Sequence, residues 1–240
     1  MAQMSYRPEI DGLRAVAVLP VILFHGGIAG FSGGFVGVDV FFVISGYLIT
    51  SIISREMGQG RFSLLQFWER RARRILPALV VVMVCCIPFA WFWMLPDQYL
   101  AFSRSLVAVS VFASNILFWR ESGYFAAAAE EKPLLHTWSL AVEEQFYILY
   151  PPLLLALYRF IPRGLFLIIS LGTLTSFGLA QWASSTHPEA NFYLLPTRAW
   201  ELGVGALVAI YLYRLRSAVT SQGSITSRAS PFFMRPVREV

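Results

Sequence analysis

Residues 35–95 read FVGVDVFFVISGYLITSIISREMGQGRFSLLQFWERRARRILPALVVVMVCCIPFAWFWML. Two long apolar runs, 35–54 and 75–95, flank a link that carries six arginines between Arg55 and Arg74. A helix that crosses a bilayer needs about 20 mostly apolar residues. Both runs meet that length, and the arginines mark the link between them as cytoplasmic. In lipid a backbone must satisfy its own hydrogen bonds, so two such runs predict spanning helices.

Working outward, five more segments have the same character: 13–29, 100–119, 138–158, 164–182 and 197–213. The expected fold is all-α, a polytopic transmembrane helix bundle with six or seven membrane helices. Composition agrees: 57% of the 240 residues are hydrophobic and only 14% are charged, against about a quarter charged in a soluble domain. The mean hydropathy is +0.60. Twenty Phe, ten Tyr and seven Trp on so little charge exclude disorder for the bulk of the chain. The only cysteines, Cys85 and Cys86, are adjacent in an apolar run, which supports neither a disulfide framework nor a metal site.

The net charge of +5 is concentrated in two arginine patches, 55–74 and 214–240, each beside an apolar segment. That placement points to membrane orientation or an anionic ligand, and to no nucleic-acid partner. With 55–74 inside, the N-terminus is cytoplasmic. Segment 100–119 is the most polar candidate, with Ser103, Arg104, Ser105, Ser110, Ser114 and Asn115. If it lies at the interface or re-enters, then Arg159, Arg163, Arg214 and Arg216 all fall inside and the Lys/Arg-free link 184–196 falls outside. Six spans plus one interfacial or re-entrant helix is therefore the favoured arrangement. The first apolar stretch, preceded by Glu9, Asp11 and Arg14, reads as a retained span and not as a signal peptide. Residues 1–214 form the membrane domain, and 215–240, rich in Ser, Thr, Arg and Pro, is expected to be a disordered tail. Gly203 and Gly205 are two apart, so they lack the four-residue spacing of small-residue helix packing.

Ionisable groups inside spans cost about 2.5–3.5 kcal/mol each on insertion scales and are functional candidates by default. Arg14 and His25 are eleven residues apart, which puts them on one helix face with a rise of about 16 Å. Asp11 shares that face. A neutral imidazole there suits a general base; the plainer alternative is an Asp–Arg interfacial anchor and a hydrogen-bonded histidine. Asp39 needs a partner such as Arg14 or His25, unless the helix dipole alone holds it. Arg70 with Arg73, or Arg71 with Arg74, form R-x-x-R pairs on one helix face. Their guanidinium groups suit a diphosphate or, alternatively, anionic lipid. Glu143 and Glu144 open an apolar helix toward different faces, with His136, Trp138 and Tyr147 near enough to line one cavity. Arg198 and Glu201 are spaced for a local ion pair. Walker A, G-x-G-x-x-G, H-E-x-x-H and G-x-S-x-G patterns are absent from the sequence, so hydrolase, NTPase and zinc-protease readings have no support.

Five stretches, YRPEIDGLRAVAVLPVILFHGG, FSGGFVGVDVFFVISGYLIT, FWERRARRILPAL, PLLHTWSLAVEEQFYILYP and RAWELGVGALVA, together resemble the acyltransferase-3 family of integral-membrane O-acyltransferases. They cover most of residues 6–209 in order. The resemblance implies transfer of an acyl group, usually acetyl, from acyl-CoA to a hydroxyl of a cell-surface carbohydrate such as O-antigen, exopolysaccharide or peptidoglycan. No permanently bound cofactor or metal is expected. The family's R-x10-H motif falls on Arg14 and His25, and its R-x-x-R motif on Arg70–Arg73 or Arg71–Arg74. Its SLAVEEQFY stretch falls on Ser139–Tyr147. The expected catalytic set is His25 as base or acyl carrier, oriented by Asp11, Arg14 or Asp39, with Glu143 on the acceptor or a proton path. The arginines would hold acyl-CoA. His136, Trp138, Tyr147, Arg198 and Glu201 are acceptor-side candidates.

The expected location is the bacterial cytoplasmic (inner) membrane, with the bilayer, acyl-CoA and a carbohydrate as partners. Family members usually carry about ten spans, so the chain is expected to be truncated and weak in activity alone, unless a separate chain supplies the missing helices. The competing reading is a non-catalytic remnant or a permease-like carrier of an acyl or glycan group.

Overall fold

The computed structural model describes residues 8–122 and 132–228, with side chains through residue 215. Helices α1 (Pro8–His25), α2 (Gly37–Gly58), α3 (Leu64–Trp93), α4 (Pro96–Ser110) and α5 (Ser114–Arg120) come first. They are followed by α6 (Thr137–Phe160), α7 (Leu165–Thr186), α8 (Pro188–Tyr193) and α9 (Leu195–Arg228). Among the described residues there is no strand. The chain is the helical membrane bundle that its apolar runs imply.

Among the described residues, four helices are long and apolar enough to cross a membrane: Gly34–Gly58, Leu64–Trp93, Thr137–Phe160 and Leu165–Thr186. In α1 the run is interrupted by Glu9, Asp11 and Arg14, and in α9 by Arg198, Glu201 and Arg214. The arginines of 70–74 belong to the first turns of α3, where the sequence suggested a link before residue 75. The backbone of α9 stays helical to Arg228, past the point where the apolar pattern ends; residues 229–240 lie outside the described residues.

The centre of the bundle is the α2–α9 contact. Phe42, Ile49 and Ile53 of α2 are fully buried and share one core cluster with Leu202, Ala206 and Ile210 of α9. The axes approach closely because a Cβ on Gly46 would overlap the Leu202 carbonyl, and one on Gly205 would overlap the Val43 carbonyl. Each helix thus offers one glycine to its partner's backbone. α7 packs on the other side of α9, where Ser176 Oγ donates to Pro196 O at 2.7 Å and accepts from Trp200 N at 2.9 Å.

These contacts fix directions. α2 and α9 run parallel: Asp39, near the start of one, pairs with Arg198, near the start of the other. Gly58, at the end of α2, meets Tyr213. α6 follows the same direction, with Trp138 of its first turn beneath Arg198. The bundle therefore has two unlike ends. One gathers His25, Asp39, His136, Phe192 and Arg198. At the other, Arg70 pairs with Glu56 at 2.9 Å, and Arg214 reaches Pro162 O and lies over Phe166. Arg159 and Arg163 flank that same turn.

Residues 100–119 are not one helix. α4 stops at Ser110, and Phe112 takes a positive φ of 54° before α5 begins. Such a backbone costs on the order of 1–3 kcal/mol in a non-glycine residue. Gln145 offsets it by donating from Nε2 to Phe112 O at 2.8 Å. Ser114 Oγ donates to Thr137 O at 3.0 Å, so α5 is tied to the start of α6. The α4–α5 unit enters from the end of α3 and returns to that same end of the bundle.

Candidate functional site

His25 is the last residue of α1. Its Nδ1 lies 2.8 Å from Val21 O. A carbonyl only accepts, so Nδ1 is the donor in this contact, and of the two neutral tautomers the one compatible with it has its lone pair on Nε2. The His136 ring stands perpendicular to that of His25, with centroids 4.6 Å apart. These imidazoles are far apart in sequence, and both reach the surface at this end of the bundle. His136 occupies the position just before the first turn of α6, without a side-chain capping bond. Loss of hydration, and secondarily the neighbouring His25, hold His136 below the ordinary histidine pKa.

Beside the histidines lies an ion cluster. Arg198 Nη1 donates to Asp39 Oδ1 at 2.8 Å and to Glu201 Oε1 at 2.7 Å. Its Nε donates to Phe192 O at 3.1 Å. The guanidinium sits over the Trp138 and Phe192 rings, at 5.7 and 5.2 Å. Tyr193 walls the same space, 5.7 Å from Trp138. Glu201 is fully buried, and its Oε2 has no hydrogen-bond partner. The expected Arg198–Glu201 pair is present, but it is part of a larger unit. The partner of Asp39 differs from expectation: it is Arg198 and not Arg14 or His25. The reason is directional, because α2 runs parallel to α9 and brings their first turns together. Arg14 instead lies over the Phe41 ring at 5.1 Å, and Asp11 is exposed.

A second polar group lies deeper. On α6, Tyr147 is eleven residues past His136, a rise of about 16 Å. Tyr147 donates its hydroxyl to Glu143 and also hydrogen-bonds Ser45. Arg71 reaches in from α3, with its guanidinium 4.2 Å over the Tyr147 ring. Its buried Nε has no hydrogen-bond partner, and neither does Oε1 of Glu144. Glu143 and Glu144 are both buried, so both face protein, where two faces with different surroundings were expected.

The arginine run divides by face. Arg70 is paired with Glu56, and Arg73 with Glu69 at 2.7 Å on the exposed side of α3. Arg71, three residues before Arg74, turns toward the bundle. Sequence reasoning missed Asn115 and Gln145, which form a reciprocal amide pair. Gln145 Nε2 donates to Asn115 Oδ1 at 2.8 Å, and Asn115 Nδ2 donates to Tyr193 O at 3.1 Å. A signal existed, since both are uncharged amides inside apolar runs, but an amide announces no partner. Phe192 and Tyr193 were missed because a short aromatic link has no period to read.

The architecture defines a class: a helical membrane protein with a paired-imidazole site at one end and an arginine-rich end opposite. The acyltransferase-3 model, described as an acyltransferase domain, matches residues 7–229. The chain belongs to that family. It is 37% identical over 211 residues to the peptidoglycan O-acetyltransferase OatA of Listeria monocytogenes, covering 85% of this chain and 34% of the relative. It is 42% identical over 182 residues to the O-acetyltransferase OatA of Staphylococcus aureus, covering 75% of this chain and 30% of the relative. The chain thus spans about a third of the length of these curated relatives. No solved structure matches it.

Proposed function

We propose that this chain transfers an acyl group, acetyl, from acyl-CoA to a hydroxyl of a cell-surface glycan. The carrying observation is the contact of His25 Nδ1 with Val21 O at 2.8 Å: a carbonyl only accepts, so Nδ1 is the donor and Nε2 is the nitrogen that can take a proton from an acceptor hydroxyl. The names of the relatives make peptidoglycan the first acceptor to test, before O-antigen or exopolysaccharide. Asp39, Arg198 and Glu201, with the Trp138 and Phe192 rings, form a polar and aromatic wall suited to a sugar, whose hydroxyls bond carboxylates and whose C–H faces lie on aromatic rings.

Acyl-CoA enters at the arginine end. Arg71 with Arg74 is the register for its phosphates, since Arg70 and Arg73 are already engaged with Glu56 and Glu69. The arginine end faces the cytoplasm of a bacterial inner membrane, in accord with the positive-inside rule, so the N-terminus is cytoplasmic. Glu143, Glu144 and Tyr147 lie on the path between the two ends.

The test is acetate released by mild alkali from peptidoglycan of cells that express this chain, with matched variants. His25→Ala should lower transfer by about 10²–10⁴-fold while membrane insertion is unchanged. Arg71→Lys with Arg74→Lys should weaken acetyl-CoA binding more than Arg70→Lys with Arg73→Lys. Near-full transfer by the His25 variant would overturn the base assignment.

A further inference from the structure

We infer that His136 is a second catalytic residue, an imidazole whose N–H stabilises the oxyanion formed when the acceptor oxygen attacks the acyl group beside His25. The inference rests on the acyl-transfer function proposed above and assigns a group to the half of that reaction His25 cannot serve. His25 has one free nitrogen, and as base that nitrogen takes the acceptor's proton. A separate donor must then meet the charge on the carbonyl oxygen.

Three observations converge on His136. Its ring stands 4.6 Å from His25 at an interplanar angle of 89°. The rings touch edge to face and both are exposed, so an acyl carbon seated at their shared outer rim would be about 3 Å from both the attacking oxygen and an N–H donor, as such sites require. His136 also immediately precedes the first turn of α6, a helix of 24 residues. A helix N-terminus favours negative charge and disfavours a protonated imidazole. Finally, lost hydration and, secondarily, the nearby His25 lower the His136 pKa from its ordinary value. In the Asp39–Arg198–Glu201 unit both carboxylates are paired with the Arg198 guanidinium.

The electron count closes. The acceptor O–H breaks and its proton moves to His25 Nε2. The oxygen bonds to the thioester carbonyl carbon, and the carbonyl π pair moves onto oxygen, where the His136 N–H meets it. On collapse the C=O re-forms, the C–S bond breaks, and the CoA thiolate takes the proton back from His25.

The experiment compares wild type with His136→Gln, which keeps an N–H donor without titrating, and with His136→Phe, which keeps the ring but no donor. The full chain is assayed in nanodiscs with acetyl-CoA and lysozyme-released peptidoglycan fragments. Melting temperature is measured alongside, and His25→Ala serves as a reference. The expected result is a fall in kcat of about 10²–10³-fold for His136→Phe, with KM for acetyl-CoA unchanged and much of the loss recovered in His136→Gln. Activity of His136→Phe within about threefold of wild type would overturn the inference, by showing that ring shape suffices. So would a His136→Gln variant that melts normally but is as inactive as His136→Phe, since a donor alone would then not serve. Transfer retained by His25→Ala would count against the proposed function itself, independently of either His136 variant.

Discussion

At the residue scale, Arg198 holds more of the site together than any spacing rule suggests. Its guanidinium reaches both carboxylates through Nη1, an α8 carbonyl through Nε, and the faces of two aromatic rings. Four elements, α2, α6, α8 and α9, therefore meet on one side chain. Removing one member of a buried ion pair leaves an uncompensated charge, which costs about 3–5 kcal/mol. Glu201 is 0% exposed, whereas the Asp39 side chain is 34% exposed. Arg198→Met is thus expected to destabilise by about 3–5 kcal/mol. Asp39→Asn should cost roughly 1 kcal/mol, because Glu201 still holds the arginine and water can reach the new amide. Thermal melting of the solubilised chain separates the two, and equal losses would show that the cluster is not ranked by burial. The Arg198–Glu201 pair was legible in the sequence because it is local. The Asp39 link was not, because it joins residues 159 positions apart and depends on which helices run parallel.

At the element scale, the bundle depends on how near α2 and α9 approach. In the sequence Gly205 matches no small-residue motif, since it lies only two residues from Gly203. The motif assumes two small residues on one helix. Here the close approach uses one glycine from each, Gly46 and Gly205, and that pairing is visible only when both helices are placed. Gly205→Val and Gly46→Val are each expected to unfold the contact, since overpacking against a backbone carbonyl costs about 1–3 kcal/mol or more. Gly172 in α7 has open space around its Cβ position. Gly172→Ala should be neutral or stabilise by about 0.5–1 kcal/mol through helix propensity. Protease resistance of the three variants in membranes tests the contrast; a Gly205→Val chain as resistant as Gly172→Ala would mean that α2 and α9 do not touch there. The serines and Asn115 mark 100–119 as the most polar apolar run, but the sequence suggests one helix there and not the break between α4 and α5. That break was not legible, since Gln145 and Phe112 O meet only through the tertiary fold.

At the scale of the whole molecule, the apolar runs show the bundle, but its polarity comes from contacts. Arg55–Arg74, Arg159–Arg163 and Arg214 collect at one end because α2, α6 and α9 run the same way and α4–α5 begins and ends at the other end of the bundle. Had 100–119 run the length of the bundle, the helices after it would be inverted and the arginines split between the ends. The link between α7 and α8 then sits with His25 and His136, away from the arginines. This makes the side of the membrane testable with single cysteines in a Cys85→Ala, Cys86→Ala background. Ser185 is exposed near the end of α7, and Gln59 is exposed just past α2. With about 30 Å of hydrocarbon between the two ends, a membrane-impermeant maleimide reaches only one of them in intact spheroplasts. The expected outcome is that Ser185→Cys is labelled at once, while Gln59→Cys is labelled only after the membrane is permeabilised. Labelling in the reverse order would place the paired histidines on the cytoplasmic side and require the acceptor there. Labelling of both positions in intact spheroplasts would place the two ends on one side, which the parallel α2–α9 pair forbids.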